Sequence, residues 1–275
     1  MKLIPATLYS LPLLVLLLFA SMASATHTLE GNYVQGGLLV GQTEPGVKVR
    51  LDDIEVRVSA QGYFVLGFDR DQAPQSRLRL TYPDGHSEEQ TLKIARREYD
   101  IQRIDNLPKR KVIPEKMDLE RIRKESALVK AARKLDDPRT DYLSGWQWPV
   151  KGRISGVYGS QRILNGQPRR PHFGVDVAAP VGALVRAPAD GLVTLAHPDM
   201  FFSGGTLILD HGQKLSSAFL HLSEILVKEG ERIRQGDPIA RVGATGRVTG
   251  PHLDWRMNFH SYQIDPQLLV PPMEQ

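Results

Sequence analysis

Apolar residues in this sequence recur at every second position more often than at helical spacing, and Gly, Pro or Asp breaks the runs every ~8–12 residues. Val47-Lys-Val-Arg-Leu51, Glu55-Val-Arg-Val58 and Arg77-Leu-Arg-Leu-Thr81 alternate strictly. Successive side chains of a strand point to opposite faces, so such runs bury one face in a sheet. The fold class expected is mainly β. Pro45-Gly46, Asp52-Asp53, Gln61-Gly62 and Asp84-Gly85 separate the first set of runs and predict a β-sandwich-like accessory domain over 26–104. From Trp146 onward come Val185, Leu192–Leu195, Thr206–Leu209, Ile225–Val227, Ile233 and Ile239–Val242, punctuated by glycines such as Gly191, Gly212, Gly230 and Gly243. This predicts a compact antiparallel β-domain over 143–275. Between the two, Pro108, Pro114 and Pro138 bracket the charged, Ala-rich stretch Glu115–Leu135, whose Leu119, Ile122, Val129 and Ala132 share a helical face. A linker with one helix is expected over 105–142, laid against a domain or bridging the two. A length of 275 residues accommodates about two domains.

Met1-Lys2, the apolar run Leu11–Phe19 and the small residues Ala23-Ser24-Ala25 have the order of a cleavable signal peptide over 1–25. The run is short for a span, which needs ~20 residues. The expectation is export to the periplasm or beyond, with no membrane span after cleavage. The chain has no cysteine, which excludes a lipid-anchored start, disulfides, cysteine nucleophiles and Cys-ligated zinc. With 35 Lys+Arg against 31 Asp+Glu, the charge excess is too small for a nucleic-acid partner.

Three places carry chemistry. Pro171-His-Phe-Gly-Val-Asp176 holds an imidazole and a carboxylate, both good zinc ligands. Gly174 between them would permit a sharp backbone path. Gly250-Pro-His-Leu-Asp-Trp255 reads as a strand entered from a turn, so His252 and Asp254 would project together. His221 lies in the apolar run Ala218-Phe-Leu-His-Leu222. Each signal taken singly is common: a coincidental pair, a surface pair, a satisfied core histidine. His27, His86, His197, His211 and His260 lack an ionisable companion at ligand spacing and read as structural or surface residues.

In order, however, His172-x-x-x-Asp176, Gly174-Val-Asp-Val-Ala-Ala-Pro-Val-Gly182, Phe219-Leu-His-Leu-Ser223, Val227–Asp237 and the Gly243–Leu253 block resemble the lysostaphin/LytM-type zinc metallopeptidases over about 146–268. The resemblance implies a groove floored by antiparallel strands, one zinc ion per chain, and hydrolysis of peptide bonds in peptidoglycan stems or cross-links. It implies His172 and Asp176 as metal ligands and His252 and His221 as catalytic histidines. The third ligand is usually histidine; Asp254 stands there, which would leave a zinc site formally neutral. Arg162 and Asn165 are candidate substrate contacts, and Arg162, Arg169 and Arg170 of the same loop are candidates to meet stem-peptide carboxylates, with simple solvation of the loop the alternative. The partners implied are wall peptides, with the N-terminal domain a docking module for another wall hydrolase or envelope protein. A catalytically silent relative that binds the wall or activates another hydrolase is the alternative. Val227–Val242 also resembles biotinyl-carrier hairpins, but Lys228 lacks the exposed hairpin-tip context.

Overall fold

The computed structural model describes residues 27–104, 116–164 and 166–273. The expected signal peptide, the residues around Pro108 and Pro114, and Asn165 lie outside them. Strands dominate, and a single α-helix among the described residues separates two β-rich parts.

The first part contains β1 (His27–Gly31), β2 (Leu38–Thr43), β3 (Lys48–Leu51), β4 (Ile54–Val56), β5 (Tyr63–Gly67), β6 (Gln75–Thr81), β7 (Ser87–Lys93) and β8 (Ile101–Ile104). Sheets β1-β2-β5 and β4-β3-β6-β7 are antiparallel. The strict alternation of β3 and β6 is used as expected: Val49, Leu51, Leu78 and Leu80 are buried while their neighbours face water. In β5 the alternation fails, because Phe64 to Gly67 are all buried. One face of β5 meets the sandwich core and the other meets the second part of the chain. A Cβ at Gly67 would sit 2.8 Å from both Phe259 and Ile264.

The second part begins after α1 (Lys116–Ala132). Its first strands are β9 (Arg153–Gly156), β10 (Gln161–Leu164), β11 (Gln167–Pro168), β12 (Val175–Ala178), β13 (Leu184–Arg186) and β14 (Gly191–Met200). Then follow β15 (Gly204–Asp210), β16 (Leu215–Ile225), β17 (Arg232–Ile233), β18 (Pro238–Val242), β19 (His252–Phe259) and β20 (Tyr262–Ile264). The large sheet runs β17-β14-β15-β16-β19-β12-β9, with β13, β18 and β20 paired at its sides. Of the expected strand Ile225–Val227 only Ile225 is in a strand, at the end of β16. Leu207, Leu209, Phe219, Leu253, Trp255 and Met257 pack on one face of the sheet into the core that also holds Phe64 and Leu66.

The two parts are stitched by polar bonds as well. Asp265 N donates to Gly36 O (2.8 Å) and Asn32 Nδ2 to Leu268 O (2.9 Å). Arg70 donates through Nε (2.9 Å) and Nη2 (2.8 Å) to Gly159 O. β8 pairs in parallel with β10, so a strand of the first part completes a sheet of the second.

α1 falls within the stretch expected to be helical, and only part of the expected face is used. Val129 and Ala132 pack on Leu195, Met200, Ile208, Ala218 and Leu220, whereas Leu119 is exposed. Polar anchors hold its first half: Arg121 Nη2 donates to Asp199 O (2.7 Å), and Glu125 Oε2 accepts from Phe201 N (2.8 Å).

His211, at the β15–β16 turn, is fully buried, with Nδ1 2.5 Å from Asp190 O and Nε2 2.8 Å from Ser217 Oγ. Burial pushes its pKa down to about 4. The unfolded chain therefore takes up a proton near pH 6.5 that the folded chain refuses until about pH 4, and stability falls as pH falls through that window. Asp210, whose burial raises its pKa to about 6, opposes this because the folded state then binds the extra proton. Replacing only the histidine separates the two. Relative to wild type, His211→Asn should gain up to about 2 kcal/mol on going from pH 7 to pH 5, whatever its cost at pH 7. Urea midpoints at both pH values test this, and an unchanged difference would refute it.

Candidate metal centre

Strand register builds the site. Directly opposed residues of neighbouring strands share a face of the sheet. Asp176 on β12 opposes Asp254 on β19, which opposes Leu220 on β16. The next row runs Arg256, Ala218, Ile208 and Leu195 across β19, β16, β15 and β14. Ala178 opposes His252. Asp176, His252, Asp254 and Arg256 therefore all stand on the face away from the main core.

His172 precedes β12, held by Gly159 N donating to His172 O (2.7 Å) and His172 N donating to Ser160 O (2.8 Å). One potential ligand atom each from His172, Asp176 and Asp254 lies within 4.8 Å of the others. His172 Nε2 and Asp176 Oδ1 are 3.2 Å apart, yet both are buried and neither makes a hydrogen bond. Two orphaned buried atoms, one imidazole nitrogen and one carboxylate oxygen, beside a second carboxylate fit a divalent cation, whose ligands must be deprotonated.

Gly174 has a different role from the one expected of its flexibility. It is absent from the left-handed region of φ. What matters is space: a Cβ there would lie 2.6 Å from Asp254 Oδ1 and 2.7 Å from Arg256 Cγ.

His221 reaches the same face by a β-bulge. Between the pairs Leu207–Phe219 and Gly205–Leu222, Leu220 and His221 both oppose Thr206. Regular alternation would send His221 into the core behind Leu220; instead it adopts φ 64°, a conformation that costs a non-glycine residue ~1 kcal/mol or more. Its ring lies 4.9 Å from that of His252. Nδ1 of His221 is 2.9 Å from Thr245 O, and Nδ1 of His252 is 2.9 Å from Gly250 O. Both contacts favour the Nδ1–H tautomer and leave Nε2 free. Nε2 of His252 is 3.8 Å from Asp176 Oδ1.

Sequence reading missed Arg256. Its Nε donates to both oxygens of Asp254 (2.9 and 3.1 Å) and its Nη2 to Oδ2 (2.6 Å). The available signal was the period-two spacing Asp254-x-Arg256 on a strand. Asp254 is 2% exposed. Burial alone would raise its pKa, but attraction and hydrogen bonding from Arg256, with help from His172 and His221, hold it below the ordinary carboxylate value. Burial lowers His221, partly opposed by Asp254. Burial also works against protonation of His172, but Asp176 and Asp254 outweigh it and the pKa is raised.

The three candidate ligands alone would leave a dication formally neutral, and the guanidinium of Arg256 adds a charge beside them. A dication held by His172, Asp176 and Asp254, with Arg256 against the last, carries +1. That is the same total as two histidines and one aspartate would leave.

The model of Peptidase family M23 matches residues 170–266, which contain every one of these groups. A Pseudomonas aeruginosa crystal structure bearing the M23 peptidase name is 30% identical to this chain, with a TM-score of 0.67, over 86% of this chain and 95% of that one. The chain belongs to peptidase family M23. That structural likeness necessarily extends beyond the matched segment into the first part of the fold. Two Vibrio cholerae relatives are named peptidoglycan DD-endopeptidases: ShyB, 40% identical over 34% of this chain, and ShyA, 39% identical over 40%. The chain spans only 22% of the length of ShyB and 26% of ShyA.

Arg162, on β10 ahead of the matched segment, is exposed, and its carbonyl accepts from Arg169 N (2.8 Å). Among the described residues no hydrogen bond or ion pair joins it to the histidines or carboxylates. Asn165 lies outside the described residues. His86, expected to lack an ionisable companion, has one: its Nδ1 is 2.6 Å from Asp84 Oδ1, on the exposed β6–β7 turn and far in sequence from the M23 segment.

Gly174→Ala should cost about 1–3 kcal/mol of stability and at least ~10-fold in zinc affinity, because the methyl displaces Asp254 or Arg256. Gly250→Ala, whose added methyl meets nothing within 4 Å, should alter neither. Zinc titration and thermal melts of the two variants decide it.

Proposed function

We propose that this chain is an exported zinc metallo-endopeptidase that hydrolyses peptide bonds in peptidoglycan stems or cross-links, acting in the periplasm or outside the cell with one zinc per chain. The observation that carries the reading is the convergence of His172, Asp176 and Asp254 beside two further histidines. The names of ShyB and ShyA support peptidoglycan as the substrate. Among the described residues no helix is long and apolar enough to cross a membrane.

In this reading His172, Asp176 and Asp254 hold the ion. Zinc bound there would act as a Lewis acid toward the scissile carbonyl and lower the pKa of water. His221 is kept neutral by burial, with Nδ1–H committed to Thr245 O, so its Nε2 accepts a proton before it donates one. His252, fixed the same way by Gly250 O, takes the proton of the attacking water and delivers it to the leaving amine. Arg256 orients the Asp254 carboxylate and holds the charge of the site at the value two histidines would give.

One observation favours a second reading, a silent relative that binds wall peptides or activates another hydrolase. Arg256 already engages both oxygens of Asp254 and competes with a metal for them. The first part of the chain, packed on the peptidase-like part, is the candidate docking module for a wall hydrolase or envelope protein in either case.

Purified peptidoglycan incubated with the mature protein should release cross-link fragments detectable by mass spectrometry. His252→Ala should cut release by at least ~100-fold with zinc content retained, and His172→Ala should lose zinc. A wild type that neither cleaves nor takes up zinc would establish the silent reading.

Asp254→Ala should lose ~10- to 100-fold or more in zinc affinity. Asp254→His alone should also bind zinc more weakly than wild type, since it leaves Arg256 unpaired at a site of charge +2. Asp254→His with Arg256→Gln should recover affinity. Recovery with the single change would show that Arg256 is not the compensating charge.

A further inference from the structure

Helix α1 covers part of the face that carries the metal centre. Val129 and Ala132 seat on Leu195, Ile208 and Ala218, and the next member of that cross-strand row is Arg256. Arg133 follows Ala132 and closes the helix, its N–H donating to Val129 O (3.3 Å). The residue is half-buried, but its Nε is sealed from solvent and has no hydrogen-bond partner. Arg170 approaches from the segment leading into His172, with Cζ 5.2 Å from the Phe173 ring. Burial, followed by the charges of Arg256 and Arg170, lowers the pKa of Arg133 to about 10.

The charges of Arg133, Arg170 and Arg256 act on one another, Ala132 seats Arg133 beside the row that ends in Arg256, and of the three only Arg256 is in an ion pair, with Asp254. Among the described residues neither Arg133 nor Arg170 forms an ion pair. A buried cation with an unmet donor is costly unless an anion meets it. A guanidinium fork matches a planar carboxylate in shape as well as charge. Peptide stems carry such groups at their free ends.

We propose that Arg133, just past the C-terminal end of α1, and Arg170 form a subsite for a free carboxylate of the peptide substrate, beside the His172/Asp176/Asp254 cluster. The proposal rests on the peptidase reading and adds the class of peptide selected: one with an unblocked carboxylate close to the scissile bond. It also gives α1 a positive role, as the wall that supplies one of the two cations.

The test uses the full mature chain carrying His252→Ala, so that peptide is not consumed. Calorimetry compares a stem tetrapeptide bearing a free C-terminal carboxylate with the same peptide as its C-terminal amide. The acid should bind at least tenfold more tightly. Arg133→Gln should abolish that preference while leaving affinity for the amide unchanged, and Arg133→Lys should restore part of it; matching thermal melts guard against unfolding. Equal affinities for acid and amide, binding of neither, or a preference untouched by Arg133→Gln overturns the subsite. Tighter binding of both peptides by Arg133→Gln also overturns it, and would make α1 a barrier. Cleavage by protein with His252 intact is scored in parallel. Acid preference without cleavage removes the hydrolase reading and leaves the subsite standing; cleavage without preference does the reverse.

Discussion

The pairing of β16, β19 and β12 is the constraint on which the rest of this molecule depends. The side-chain period of a strand is two, so a slip of one residue in β19 would turn His252, Asp254 and Arg256 inward and present Leu253, Trp255 and Met257 to water. Those three apolar residues are fully buried. The chemistry is therefore held in register by the core on the opposite side of the same strand. Polar groups that attract protons and metals are placed by residues that do neither.

In the proposed site, Arg256 would let a ligand position tolerate a change of side chain. An aspartate in place of a neutral histidine adds a negative charge to a buried cluster that already contains Asp176. A guanidinium two residues along the same strand removes it, at hydrogen-bond distance and with both carboxylate oxygens engaged. The cost of desolvating Asp254 is offset locally, within one strand.

Much of this was legible beforehand. The alternation at Val47–Leu51 and Arg77–Thr81 became β3 and β6, and the charged stretch between the prolines contains α1. The segments around His172, His221 and His252 were visible as motifs. Other features were not, for physical reasons. β5 is buried on both faces by a partner far along the chain, so its pattern does not announce a sheet edge or a core. The turn of His221 toward the site depends on a bulge, and one inserted residue leaves no trace in composition. Gly174 read as the means to a sharp backbone path, and what it supplies is space demanded by the side chains of another strand. Arg256 carried a readable spacing, but its meaning came from the burial of Asp254, which only the packed sheet reveals.

The pair of hydrogen bonds from Arg70 to the carbonyl of Gly159 has a mechanical consequence. Gly159 in turn donates its N–H to the carbonyl of His172. A side chain of the sandwich is thus two links from the backbone of the first histidine. A displacement of the first part of the chain would reach His172 through hydrogen bonds of 2.7–2.9 Å without crossing the hydrophobic core. The accessory sheets serve the fold as a fixed mount, and the stiffness of that mount sets how far His172 can drift from the two carboxylates.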